Sequence, residues 1–99
     1  MSAQQDVVLR GFTAAGEAVS VSGSSAQSAV FPATGPTKGV RLVSTTNCFV
    51  EIGANPTAAA NTSTYLPAGV VEYFACAAGH QVAVIQASAS GTLYVRPTN

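Results

Sequence analysis

Acid–base catalysis near neutrality needs a side chain that changes protonation there, and His80 is the sole histidine in the chain. It follows Gly79 in "AAGH", a predicted turn. A thiol nucleophile could be drawn from Cys76 or from Cys48, with His80 as its base. Such a pair needs an Asp or Asn to orient the imidazole, and no motif of that kind lies nearby. The expected role of His80 is therefore to cap its turn or to face solvent. Glu51 and Glu72 could act as the carboxylate pair of a glycosidase. Each, however, is flanked by strand-forming apolar residues, and the chain has no Trp to serve as a sugar platform. Lone strand glutamates of this kind face solvent or meet an arginine. Two Cys and one His lack the close-spaced ligand pairs of a zinc site, and no Asp-rich loop fits calcium. A phosphate cradle would ask for a Gly-rich turn opening a helix, and no helix is predicted. The expectation is a non-enzyme without metal or cofactor.

Composition points the same way. Charged residues make up 8% of the chain, and 18 Ala, 10 Ser and 10 Thr fill the gap. An ordinary globular domain is about 25% charged. A surface of methyls, hydroxyls and amides loses its water at lower cost than one of Lys and Glu, because burying an ion costs far more than burying a hydroxyl that finds a partner. Arg10, Lys38, Arg41 and Arg96 balance Asp6, Glu17, Glu51 and Glu72. That leaves no basic footprint for nucleic acid or an anionic membrane. A molecule of zero net charge is prone to associate, so permanent protein contact is the expected use of this surface. The opening "MSAQQDVVLR" lacks the basic-then-apolar pattern of a secretory signal, and no run of about 18 apolar residues occurs. Synthesis in a cytosol is expected, with Cys48 and Cys76 as small buried hydrophobes whose pairing only geometry can decide.

The elements that would position these residues read as strands. "EAVSVSG" (17 to 23) sets Val19 and Val21 opposite Ala18, and "SAVFP" (28 to 32) follows a Ser-rich turn. "GVRLVST" (39 to 45) sets Val40 and Leu42 opposite Arg41. In "CFVEIG" (48 to 53), Cys48, Val50 and Ile52 share one face, and Phe49 and Glu51 the other. The short polar link between these two segments predicts a hairpin symmetric about Thr46, which would place Arg41 and Glu51 on one face. "ANPTAAANTST" (54 to 64) is a long uncharged loop. "YLPAG" turns into "VVEYFAC" (70 to 76), "AAGH" into "QVAVIQ" (81 to 86), and "ASASG" into "TLYVRP" (92 to 97), with Leu93 and Val95 inward. Seven or eight short strands with Gly or Pro punctuation predict an all-β fold, an antiparallel β-sandwich or compact barrel of jelly-roll or Ig-like type. Residues 1–16 read as an N-terminal arm or first strand, and 17–99 as a single β-domain.

The hairpin ending "VEIGANPTA", the "YLPAG" turn, the "YF" strand, the "GHQVAVIQASASGTLYV" finish and the low-charge Ala/Ser/Thr composition resemble small virion proteins of tailed bacteriophages, over residues 39–95. They are similar to capsid decoration, or cement, proteins. The resemblance implies a small, often oligomeric β-sandwich that sits outside a phage head and clamps neighbouring capsomers, and it assigns no site residue by residue. The implied partners are the major capsid protein and copies of the chain itself, a trimer favoured over a dimer, with no nucleic acid and no membrane. The implied location is the capsid surface, after synthesis in the host bacterial cytoplasm. Another virion component or a small carbohydrate-binding module is the alternative, with Tyr65, Tyr73 and Tyr94 as its aromatic candidates. The contact surfaces expected are the arm (Gln4, Gln5, Asp6, Val7), the 32–38 loop (Pro32, Pro36, Lys38) and the long loop with its exit (Asn55, Pro56, Thr57, Asn61, Thr64, Tyr65).

Overall fold

A computed structural model describes residues 11–32 and 35–99. They form eight strands and no helix: β1 (Glu17–Val21), β2 (Ala26–Gln27), β3 (Gly39–Ser44), β4 (Cys48–Gly53), β5 (Thr64–Leu66), β6 (Glu72–Ala75), β7 (Gln81–Gln86) and β8 (Gly91–Thr98). Sheet A runs β1-β8-β3-β6 and sheet B runs β2-β7-β4-β5. The pairings β1 with β8, β2 with β7, β3 with β6 and β4 with β5 are those of one long antiparallel hairpin with its tip between β4 and β5. Winding that ribbon around itself adds the β3–β8 and β4–β7 contacts and closes two four-stranded sheets. This is a jelly-roll order and not an Ig-like one.

Alternation in the sequence accounts for the core. Val19 and Val21 of β1, Val40 and Leu42 of β3, and Leu93 and Val95 of β8 face Cys48 and Val50 of β4, Leu66 of β5, and Val82 and Val84 of β7. A one-residue slip in any of these strands would expose its whole apolar set. Each fully buried Leu or Val contributes about 1.5–3 kcal/mol relative to leaving it exposed.

The structure corrects two expectations. The β3 and β4 strands form no hairpin, because they belong to different sheets, so Arg41 and Glu51 lie on opposite outer faces of the sandwich. The link between them is an arch that crosses from sheet A to sheet B. Ser44 turns it with its own side chain: buried Ser44 Oγ donates to Thr46 O (2.7 Å) and accepts from Thr46 N (3.2 Å). Neighbouring loops staple the arch in place, through Thr45 N to Thr92 O, Gly69 N to Ser44 O, and Ala87 N to Asn47 O. The second correction concerns "SAVFP". The strand there is β2, two residues long and further upstream. Ser28 N still donates to Val82 O, but Val82 N is met by the Ser28 hydroxyl in place of a backbone carbonyl, and the regular ladder stops. Phe31 is buried in the core and Val30 faces out.

Candidate functional site

Sheet A carries the most unusual surface. The strand registers give its outward positions: Ala18 and Ser20 on β1; Thr92, Tyr94, Arg96 and Thr98 on β8; Gly39, Arg41 and Val43 on β3; Tyr73 and Ala75 on β6. Only Arg41 and Arg96 among these are charged, and they are direct partners across the β3–β8 ladder. Tyr73 stands beside Arg41 on the opposite side, and Tyr94 lies between Ala18 and Val43 in the next row. Tyr73 and Tyr94 are each nearly half exposed.

The two guanidinium groups are held differently. Residues 11–13 run along the end of β8, with Thr13 N bonded to Pro97 O and Phe12 bridged to Thr98. Between this stretch and β1 the registers differ by two residues, so residues 14–16 bulge from the sheet edge. Arg96 fills the bulge. Its Nε donates to Ala14 O at 2.8 Å, and its guanidinium carbon lies 4.3 Å from the centre of the Phe12 ring. Gly16 lies close beneath it: a Cβ there would come to 3.3 Å from Arg96 Cδ, and the arginine would have to give by a few tenths of an ångström. Among the described residues the Arg41 side chain makes no hydrogen bond or ion pair. A cleft of about 410 Å³ opens above the pair, with Phe12, Ala18 and Tyr94 as its apolar walls and Glu17 also in its lining. The Glu17 carboxylate is engaged elsewhere, accepting the Ala29 N–H at 2.9 and 3.1 Å. The arrangement offers fixed positive charge and aromatic surface.

The expected contact residues are distributed as follows. Gln4, Gln5, Asp6 and Val7 lie outside the described residues. The registers place the 28–38 loop, the 54–63 loop and residues 11–13 at the same end of the sandwich, opposite the arch. Pro36 and Lys38 are exposed there, and Pro32 is half-buried. The long loop folds back on the outer face of sheet B. Gln27 Nε2 donates to Asn55 Oδ1 (2.9 Å) and Pro56 O (2.7 Å), Ala58 N donates to Ser25 Oγ (2.9 Å), and Ser63 Oγ donates to Glu51 Oε1 (2.8 Å). Asn55 and Asn61 take positive φ to make its corners. Gln27 and Glu51 flank Ala83 in the ladder, and Ala83 is fully buried although it points away from the inter-sheet core. The loop is thus a cover with a small core of its own, in which Pro56 and Ala58 are buried; Thr57, Asn61 and Thr64 remain exposed. Tyr65 projects beside Phe49 on the same sheet, their ring centres 5.4 Å apart.

Of the groups with catalytic potential, His80 is engaged within its own turn. His80 Nδ1 accepts the Ala77 N–H at 3.2 Å, capping its own turn, whose Gly79 adopts φ of 79°. Cys48 and Cys76 are free thiols. Burial raises the pKa of both, and at Cys48 a hydrogen bond with Ser44 offsets part of the rise. Among the described residues no group of three or more His, Cys, Asp or Glu side chains could hold a metal ion. The Arg41–Arg96 pair did not emerge from the sequence, although each arginine stands at an outward position of an alternating strand. No family model matches the chain, and no curated protein or solved structure matches it either.

Proposed function

We propose that this protein is a structural component of a phage virion, a decoration protein that binds the outside of the head as an oligomer and clamps the shell. The observation that carries this reading is the outward face of sheet A: tyrosines, small residues and one arginine pair, with no acid at any outward strand position. Such a face can be dehydrated against a protein partner at small electrostatic cost, and Tyr and Arg are the residue types that anchor protein interfaces. The jelly roll supports the reading by analogy alone, since viral capsid domains and lectins both use it. A shell is stabilised by whatever binds its assembled state, and an oligomer touching several capsomers adds avidity to modest contacts.

The test uses heads of the encoding phage stripped of this protein. Purified wild-type chain is expected to sediment as an oligomer, to co-sediment with the heads and to raise the temperature at which they release DNA. A Tyr94→Ser variant with an unchanged circular dichroism spectrum is expected to lose most of that binding. A monomer that never travels with heads ends the proposal. The cleft beside Tyr94 also fits a small carbohydrate-binding module, and tight binding to a glycan array without any effect on heads would favour that alternative.

A further inference from the structure

We infer that the Arg41–Arg96 cleft is a receptor for a single carboxylate on a short apolar stem, an acidic side chain or chain terminus of the protein on which sheet A docks. The inference rests on the docking reading above only for the carrier of that carboxylate; the site itself follows from the geometry. Like charges directly opposite each other in an antiparallel ladder destabilise the sheet. Here they are two of only eight formal charges in the chain. Among the described residues neither meets an acid: the Arg41 side chain makes no hydrogen bond or ion pair with them, and Arg96 spends its Nε on a neutral carbonyl. The Ala14 bond and the Phe12 ring fix the Arg96 side chain, so its remaining N–H donors are pre-oriented and the entropy lost on binding is reduced.

The geometry of the donors and the apolar lining select the ligand. Two guanidinium groups face the cleft, while Glu17 takes an inward register position opposite Val95 and turns its carboxylate to the Ala29 N–H. Guanidinium groups match the planar two-oxygen geometry of a carboxylate. The apolar walls of Phe12, Ala18 and Tyr94 suit the methylenes that carry it.

The experiment is an NMR titration of the purified protein, following arginine Nε–Hε signals and the β8 amides. The probes are glutamate capped as N-acetyl and N-methylamide, the equally capped glutamine, inorganic phosphate and glucuronate. Capped glutamate is expected to shift the Arg41, Arg96 and Tyr94 signals saturably, with capped glutamine at least tenfold weaker. Arg41→Gln is expected to weaken the carboxylate by about tenfold or more, as removal of one of two charge-assisted contacts should. Its unliganded melting temperature is expected to equal or exceed that of wild type, because the opposed pair is relieved. Absence of saturable shifts, equal response to glutamine, or a clear loss of stability in Arg41→Gln overturns the site. Tighter binding of phosphate overturns the carboxylate, and tighter binding of glucuronate overturns the protein carrier. Saturable glutamate binding by a chain that ignores phage heads would sink the virion reading and leave the cleft standing.

Discussion

Gly91→Ala tests whether the arch is as tightly fitted as its hydrogen bonds imply. Gly91 begins β8, and a Cβ there would stand 2.6 Å from Thr45 Oγ1, 2.7 Å from Thr46 Cγ2 and 2.9 Å from Thr46 Cβ. These atoms cannot swing aside cheaply. Threonine is stiff about χ1, Thr45 Oγ1 accepts the Thr92 N–H (2.9 Å), and Thr46 Oγ1 donates to Ala89 O (2.9 Å). Forcing in one methyl costs about 1–3 kcal/mol by overpacking. Loss of either threonine bond adds about 0.5–1.5 kcal/mol. The expected destabilisation is therefore about 2–4 kcal/mol, or a fall in Tm on the order of 10–25 °C for a domain of this size. Urea unfolding followed by circular dichroism at two protein concentrations measures it, with the concentrations separating stability from association. Gly53→Ala is the control, since nothing lies within 4 Å of its added Cβ and its backbone is not left-handed; it should be neutral or mildly stabilising. If Gly91→Ala stays within about 0.5 kcal/mol of wild type, the arch has slack and its fitted geometry is wrong.

Three further outcomes follow from the same contacts. Ser44→Ala removes the buried hydroxyl that meets both backbone groups of Thr46 and should cost about 1–3 kcal/mol, with Thr46 amide exchange accelerated in step. Ser63→Ala cuts the loop from Glu51 and from the Ala59 N–H (3.0 Å) and should speed exchange at Ala59 by about tenfold, with global stability changed by less than about 1 kcal/mol. The thiols make stability depend on alkaline pH. Their folded pKa values are raised by burial, so the unfolded chain releases protons first; stability is flat below about pH 8.5 and falls as pH rises above it, at up to about 1.4 kcal/mol per pH unit per thiol. Urea midpoints from pH 7 to 9.5 should show this decline, and Cys48→Ala should flatten it.

Alternation made most of the sandwich legible. The inward sets Val19/Val21, Val40/Leu42, Cys48/Val50 and Leu93/Val95 are each visible within one short segment, because the side-chain period of a strand is a local property. Strand partnership is not local. The link from Ser44 to Cys48 has a length that suits a hairpin as well as an arch, and only the bonds of the buried Ser44 hydroxyl distinguish the two. The cover over Ala83 was hidden for a similar reason: an uncharged loop reads as free until Gln27, Ser25 and Glu51 are seen to hold it. Arg41 and Arg96 were each identifiable as outward residues. Their adjacency depends on the β3–β8 contact, which exists only once the long hairpin has been wound.

That winding explains why the charge pair is informative. A chain with so few ions has many neutral ways to fill two outward positions, and Thr or Ser would satisfy a sheet surface at least as well. Winding the ribbon puts β8 against β3, and the two positions that meet there hold the same charge, which electrostatics disfavours. When sequence and fold agree at nearly every other position, such a conflict marks a place shaped by something other than stability. A structural role predicts that neutralising Arg41 weakens the fold. A receptor role predicts that it leaves the empty protein at least as stable and weakens the occupied one. The two roles differ on whether the unliganded melting temperature falls, so that one measurement separates them before any ligand is added.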